Sequence, residues 1–200
     1  MRIGYLILAA LIGTLPLRAA AQDATAPAAP LGPRVVISTS MGDITLQLDS
    51  VHAPLTVANF LRYAKEGHFD GTVIYRVVPG FVIQAGSWDA DIHYRQVHKP
   101  IPLESGLSNK RGTIAMARDT PDSATAEFFI NLADNTPLDA DANAPPNTTG
   151  YAVFGEVVSG MDVVDKISVV PRGDNGPMKG QAPVDPITIL KVSIVPDAAP

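Results

Sequence analysis

The chain contains no cysteine among its 200 residues. That absence excludes disulfide frameworks, thiolate nucleophiles and cysteine-based zinc sites. Histidine is scarce as well. The four present (His52, His68, His93, His98) lack a ligand spacing and read as solvated loop residues rather than a metal set. There is no glycine-rich phosphate loop, no βαβ alternation and no internal repeat, which argues against a nucleotide fold. Charged residues make up 18% and the formal net charge is -5, so a phosphate backbone is a poor partner. Only one long apolar run occurs. Ile3 to Leu17 is 15 residues long, short of the ~20 that span a bilayer.

That run is preceded by Arg2 and followed by the small residues Ala19-Ala20-Ala21. Residues 1–21 therefore read as a cleavable secretory signal, cut before Gln22. Removing Arg2 and Arg18 with it takes the net charge from -5 to -7. Residues 22–33 (QDATAPAAPLGP) read as an Ala/Pro-rich tether, 34–195 as a single domain and 196–200 as a tail.

Within the domain the apolar pattern is mostly of period 2. Strands are expected at 34–40, 44–48, 73–78, 81–84, 113–118, 127–132, 151–158 and 186–195. One helix opens at Pro54, carries Val57, Phe60, Leu61 and Ala64 as its apolar stripe, and stops near Gly67. A short helix is expected over Met161–Ile167, and a polar loop over 139–149. Many short strands with two helices imply a mostly-β barrel or sandwich capped by helices. Phe60, Met116, Phe128 and Ile130 are bulky enough to fill its interior, against a small-ligand barrel.

The stretch Tyr75–Gly86, YRVVPGFVIQAG, carries the most chemistry. Arg76 interrupts an apolar run, a Pro79-Gly80 turn follows, and Gln84 is the one amide in the second run. Neither side chain is a nucleophile or a neutral-pH base; both are hydrogen-bonding tools. Fixed donors on an apolar wall suit a reaction that twists a substrate without breaking a covalent bond. A two-residue turn would pair Arg76 with Ile83 and send Gln84 to the opposite face. A three-residue loop, 79–81, would pair Arg76 with Gln84. The function requires the second arrangement, and the sequence leaves both open.

Together with RGTIAMAR (Arg111–Arg118), FFIN (Phe128–Asn131) and YAVFGEVVSGMDVVDKI (Tyr151–Ile167), this stretch resembles the cyclophilin-type peptidyl-prolyl cis-trans isomerases, exported bacterial members above all. The resemblance implies a closed eight-stranded antiparallel β-barrel capped by two α-helices, with a substrate groove on its outer face. It implies an isomerase acting on proline-containing polypeptides as a monomer in the periplasm. It implies no cofactor, metal, nucleic acid or lasting membrane association. By the same resemblance Arg76 and Gln84 are the catalytic pair. Phe81, Val82, Phe129 and Leu138 line the proline pocket, Ala117 and Arg118 hold the peptide, and Tyr151 and Glu127 border the groove. Glu127 stands where the family usually has glutamine, and Pro137 where many members have tryptophan. These two departures leave a peptide-binding module with weak catalysis as the alternative.

Two expectations concern side-chain direction. Phe128 and Ile130 should face the core and Phe129 the groove, because neighbours on a strand point to opposite faces. The Glu127 carboxylate either orients Arg76 through a charged pair or occupies donors that the substrate needs.

Overall fold

The computed structural model describes residues 32–195. The expected signal, all but the last two residues of the tether, and the tail lie outside them. The chain opens with a hairpin of β1 (Arg34–Thr39) and β2 (Gly42–Leu48). Its alternation buries Val35, Ile37, Ile44, Leu46 and Leu48 on one face. The Thr39 hydroxyl closes the turn, donating to the Gly42 carbonyl at 2.7 Å and accepting the Met41 N–H at 3.1 Å.

Helix α1 (Pro54–Lys65) starts with proline at its first turn, where no N–H is missed. The exposed donors there go instead to Glu104, which accepts the N–H groups of Leu55 and Thr56 at 3.1 and 2.7 Å and the Thr56 hydroxyl at 2.7 Å. At the other end Gly67 takes a φ of +69°, the His68 N–H reaches the Tyr63 carbonyl, and the Gly67 N–H reaches that of Ala64. This is a Schellman stop. The buried face holds Thr56, Val57, Asn59, Phe60, Tyr63 and Ala64. Leu61 was expected in that stripe but is only partly buried; Tyr63 takes its place, three residues beyond Phe60.

The remaining strands are β3 (Arg76–Val78), β4 (Val82–Ala85), β5 (Thr113–Met116), β6 (Phe128–Asn131) and β7 (Val153–Ser159). A 3-10 turn at Thr136–Leu138 precedes β7. Then come α2 (Met161–Ser168), a two-residue ribbon of β8 (Arg172–Gly173) and β9 (Ala182–Pro183), and β10 (Ile189–Val195). The ribbon had no counterpart in the sequence reading.

Eight strands form one antiparallel sheet in the order β10-β1-β2-β7-β5-β6-β4-β3. It curls into the expected barrel with two helices, but the closure is partial. The end strands β3 and β10 share no ladder. The segment before β3 meets the start of β10 at one bridge, Val73 to Thr188, and through three hydrogen bonds: Ile74 N–H to the Ile187 carbonyl at 2.9 Å, Ile189 N–H to that of Thr72 at 2.8 Å and Gly71 N–H to that of Ile189 at 2.7 Å. Val73–Tyr75 were expected to extend β3. Their backbone is diverted to this seam and to the Trp88 carbonyl, so the β3–β4 ladder begins at Arg76.

Phe60 sits at the centre of the interior, with ring centroids of Phe69, Phe154 and Phe128 at 5.1, 5.2 and 5.6 Å. The free space left among Ile37, Ile44, Ile83 and Ile130 is about 10 Å³, too small for more than a water. The interior is a filled core, so any ligand must bind outside it.

Candidate active site

The β3–β4 hairpin aims the site. Arg76 pairs with Gln84, Val77 with Ile83 and Val78 with Val82, so the loop is the three-residue one, Pro79-Gly80-Phe81. The Phe81 N–H returns to the Val78 carbonyl at 3.0 Å, and Gly80 has a φ of +71°. Proline followed by a residue of positive φ is the demand of a type II turn. The pairing sets Arg76 and Gln84 side by side on the outer face, where Arg76 Nη1 donates to Gln84 Oε1 at 2.9 Å.

Strand β6 lies beside β4, with Gln84 opposite Phe129. Phe128 and Ile130 point into the main core, as expected. Phe129 joins Val82, Ala115 and Val153 in a separate apolar cluster, flanked by Phe81, Leu138 and Tyr151. Tyr151 meets Phe129 edge to face at 5.6 Å. Asn131 and Asn135 hold this wall from behind: Asn135 Nδ2 donates to Asn131 Oδ1 at 2.7 Å and to the Phe81 carbonyl at 2.9 Å. The side chain of Asn131, buried completely, in turn reaches Thr113 Oγ1 at 2.9 Å.

The result is a groove of about 680 Å³. Every residue placed in the site by sequence lines it: Arg76, Phe81, Val82, Gln84, Ala117, Arg118, Glu127, Phe129, Leu138 and Tyr151. Two of them differ in detail from expectation. The Ala117 N–H is taken by the Glu127 carbonyl at 2.8 Å, so Ala117 offers the groove no amide donor. Arg118 is not a free cation. Its Nε and Nη2 both donate to the Gly150 carbonyl, the former at 2.9 Å, and its guanidinium lies 4.8 Å from the Tyr151 ring. It acts as a stiff rim of the pocket.

Glu127 corrects a larger expectation. It forms no ion pair with Arg76. Its Oε1 accepts the Ser87 N–H at 2.7 Å. Its Oε2 has no fully formed hydrogen bond, although the Tyr75 hydroxyl is near enough to interact with the carboxylate. Burial pushes the Glu127 carboxyl up to about 7, against smaller opposing effects of Tyr75 and Ser87. The Tyr75 phenol is raised well above its usual range, by burial first and by the Glu127 charge second.

Arg76 instead has neutral partners. Besides Gln84, its Nε donates to Gln181 Oε1 at 2.6 Å. Amide oxygens orient a guanidinium without neutralising it. Sequence reading missed Gln181, which lies 105 residues away in a Pro/Gly-rich stretch without periodicity. It also gave no role to Tyr75, which accepts the Gln84 Nε2 donor, or to Trp88, which lines the groove.

The histidines need one correction. His68 is not a solvated loop residue. It is half-buried, bonded through Nε2 to Ser87 Oγ at 3.0 Å, and burial lowers its pKa. Asp89, Asp91 and His93 bring ligand atoms within 4.8 Å of one another. Their contacts are those of a turn, with the Asp91 and His93 N–H groups both bonded to Asp89 Oδ1.

Comparison with known proteins points to one family. The family model described as cyclophilin type peptidyl-prolyl cis-trans isomerase/CLD matches residues 34–194. The chain is 43% identical to peptidyl-prolyl cis-trans isomerase A of Dickeya dadantii over 192 residues, covering 94% of this chain and 97% of that protein. It is 43% identical to peptidyl-prolyl cis-trans isomerase B of Escherichia coli over 163 residues, covering 80% and 98%. Among solved structures, a Cryptosporidium parvum cyclophilin crystallised in the presence of the dipeptide Ala-Pro shares the fold. Its TM-score is 0.68 at 23% identity, over 82% of this chain and 99% of that one.

Proposed function

The chain belongs to the cyclophilin-type peptidyl-prolyl cis-trans isomerase family, and from that premise we propose that it accelerates rotation about X–Pro bonds by means of Arg76. The uncatalysed barrier is about 18–20 kcal/mol, because the nitrogen lone pair is shared with the carbonyl. Cis and trans forms before proline differ by only about 0.5–1 kcal/mol, so the obstacle is kinetic. In the twisted state the prolyl nitrogen becomes pyramidal and regains its lone pair. A donor aimed at that nitrogen binds the twisted state better than either planar form. Each ~1.4 kcal/mol of this preference is worth a factor of ten in rate.

The observation that carries the reading is the setting of Arg76. Two neutral amide oxygens fix its guanidinium at the edge of the Val82–Phe129 pocket. The pocket takes the pyrrolidine ring and excludes water that competes for the arginine. Arg76 keeps its charge and cannot pass a proton to the substrate. Proton transfer and covalent bond breaking play no part in the reaction.

Exchange of a short proline peptide, followed by NMR, tests the proposal. Arg76→Ala is expected to lose about 100-fold in catalysed exchange while still binding peptide, the scale of losing one oriented transition-state donor. Undiminished exchange in the variant would overturn it. Peptide binding by the wild type without faster exchange would favour the binding module instead.

The same proposal places the enzyme outside the cytoplasm, in a bacterial periplasm, assisting the folding of envelope proteins. The support is the Arg2 start, the 15-residue apolar run and the Ala19–Ala21 cleavage site. N-terminal sequencing of the protein from its native host is expected to begin at Gln22. A retained Met1 would refute export by cleavage.

A further inference from the structure

Arg76 has acceptors from two elements far apart in sequence. Gln84 on β4 takes Nη1 and Gln181, just before β9, takes Nε. Among the described residues the structure gives Nη2 no protein acceptor.

Gln181 is itself held firmly. Its carbonyl accepts the N–H of Val77, the residue after Arg76, at 2.7 Å, and its N–H reaches the Met178 carbonyl at 3.1 Å. The loop leading to it is tied by the Gly180 N–H to Asp174 Oδ1 at 2.7 Å and by Asn175 Nδ2 to the Pro183 carbonyl at 2.9 Å. Close approach is required at Gly176, where a Cβ would stand 2.5 Å from that of Ala182 and 3.2 Å from the Tyr75 carbonyl. The loop is therefore built against the strand that carries Arg76.

We propose that Gln181 is a positioning residue for Arg76, with the β8–β9 loop serving as its mount. This rests on the reading of Arg76 as the donor to the prolyl nitrogen. A guanidinium gripped at Nε and Nη1 from two directions has its plane fixed, so Nη2 is aimed before the substrate arrives. One grip, from Gln84 alone, leaves the guanidinium free to pivot on that single hydrogen bond. A carboxylate in place of Gln181 would hold Nε as well but would offset the charge that the twisted amide needs. An amide holds the plane and leaves the charge to the substrate.

The test compares Gln181→Leu and Arg76→Lys, singly and together, in the proline-peptide exchange assay. The leucine keeps the bulk and the Val77–Gln181 backbone bond but removes the acceptor. Gln181→Leu is expected to lower kcat about tenfold and leave KM within about twofold, because orientation acts on the twisted state. A lysine has no Nε to hold, so adding Gln181→Leu to Arg76→Lys is expected to lower kcat no further. Unchanged kcat in Gln181→Leu, or an equal loss in the lysine background, overturns the positioning role. If Arg76→Lys keeps full kcat, it is the arginine reading that fails. A second measurement needs only the wild-type enzyme: the Arg76 Nε–H is expected to give a resolved NMR signal protected from solvent exchange. Exchange as fast as that of a free arginine would refute the grip.

Discussion

Glu127 accepts the backbone N–H of Ser87 at 2.7 Å and, among the described residues, forms no ion pair with Arg76. The cause lies in β4, whose exit at Gly86 runs directly over Glu127. A Cβ at Gly86 would lie 2.6 Å from the Glu127 carboxyl carbon and 2.7 Å from its Cα. The acid is thus packed beneath the backbone, next to Tyr75, Ser87 and, beyond Ser87, His68. It borders the groove without neutralising the groove's cation.

Stability should consequently depend on pH through Glu127. Its folded-state pKa is raised to about 7 from 4.5 by burial. Below 4.5 the carboxyl is protonated whether the chain is folded or not, and it imposes no pH dependence. Between 4.5 and 7 the unfolded chain gives up the proton and the folded chain keeps it, so stability falls as pH rises. Above 7 the full effect, on the order of 3 kcal/mol, is present. Glu127→Gln removes this titration while keeping an acceptor for Ser87. Denaturant unfolding of both proteins at pH 4.5 and 8 is expected to find them similar at the lower pH and the variant more stable at the higher. An unchanged difference between the two pH values would show that the carboxylate is not buried in solution.

Tyr75 is the link between the acid and the catalytic pair. It accepts the Gln84 Nε2 donor while lying against Glu127. Tyr75→Phe leaves the Gln84 amide without that acceptor in a mostly buried place, at about 1–3 kcal/mol. Gln84 then loses its anchor and turns within the groove. The expected outcome is a lower Tm and a kcat reduced several-fold with Arg76 intact. A variant that keeps wild-type kcat would show that Gln84 holds its orientation from Arg76 alone.

The sequence pattern located most strands because their alternation follows a local rule, and the residues singled out by resemblance line one groove. Period-2 alternation separated Phe128 and Ile130 from Phe129, and each faces as expected. Pro79-Gly80 announced a turn, but its length depended on whether Val78 paired with Phe81 or with Val82, and the ladder pairs it with Val82. What escaped notice is held together across long sequence distances. Gln181 meets Arg76 over 105 residues, and Glu104 meets α1 over 48. A lone glutamine or glutamate in a loop carries no periodic mark of its partner. The charged Glu127 near Arg76 suggested an ion pair because opposite charges attract. Backbone packing at Gly86 and the Ser87 amide decided otherwise.

Glu104 tests how far the helix depends on such a distant residue. Its carboxylate takes two backbone N–H groups and one hydroxyl at the start of α1, where Ala53 supplies no side-chain cap. The negative charge also faces the positive end of the helix. Glu104→Ala leaves these donors to water or unpaired, for a loss of about 1–2 kcal/mol. Glu104→Gln keeps one acceptor without the charge and should lose about half as much. Since neither Glu104 nor the first turn of α1 lines the groove, kcat is expected to stay within twofold. A rate loss larger than the stability loss explains would tie this helix to the site.

Gly86→Ala makes the last and most local demand. The added methyl must displace either the Glu127 side chain or the backbone just before β6, since it would come within 2.7 Å of the Glu127 Cα. A side chain alone can swing aside, but a backbone atom at that distance cannot. The β4–β6 ladder, in which Ala85 pairs with Phe128 and Gln84 with Phe129, has to open at this end. Overpacking of this kind costs about 1–3 kcal/mol. The strain falls on the two residues that set the pocket wall and the arginine's partner, so activity should drop along with stability. Shortening the acid distinguishes the two sources of strain. If the clash is mainly with the carboxylate, Glu127→Ala restores the Tm of Gly86→Ala almost fully. If the backbone contact dominates, as the 2.7 Å approach requires, the double variant recovers only part of it.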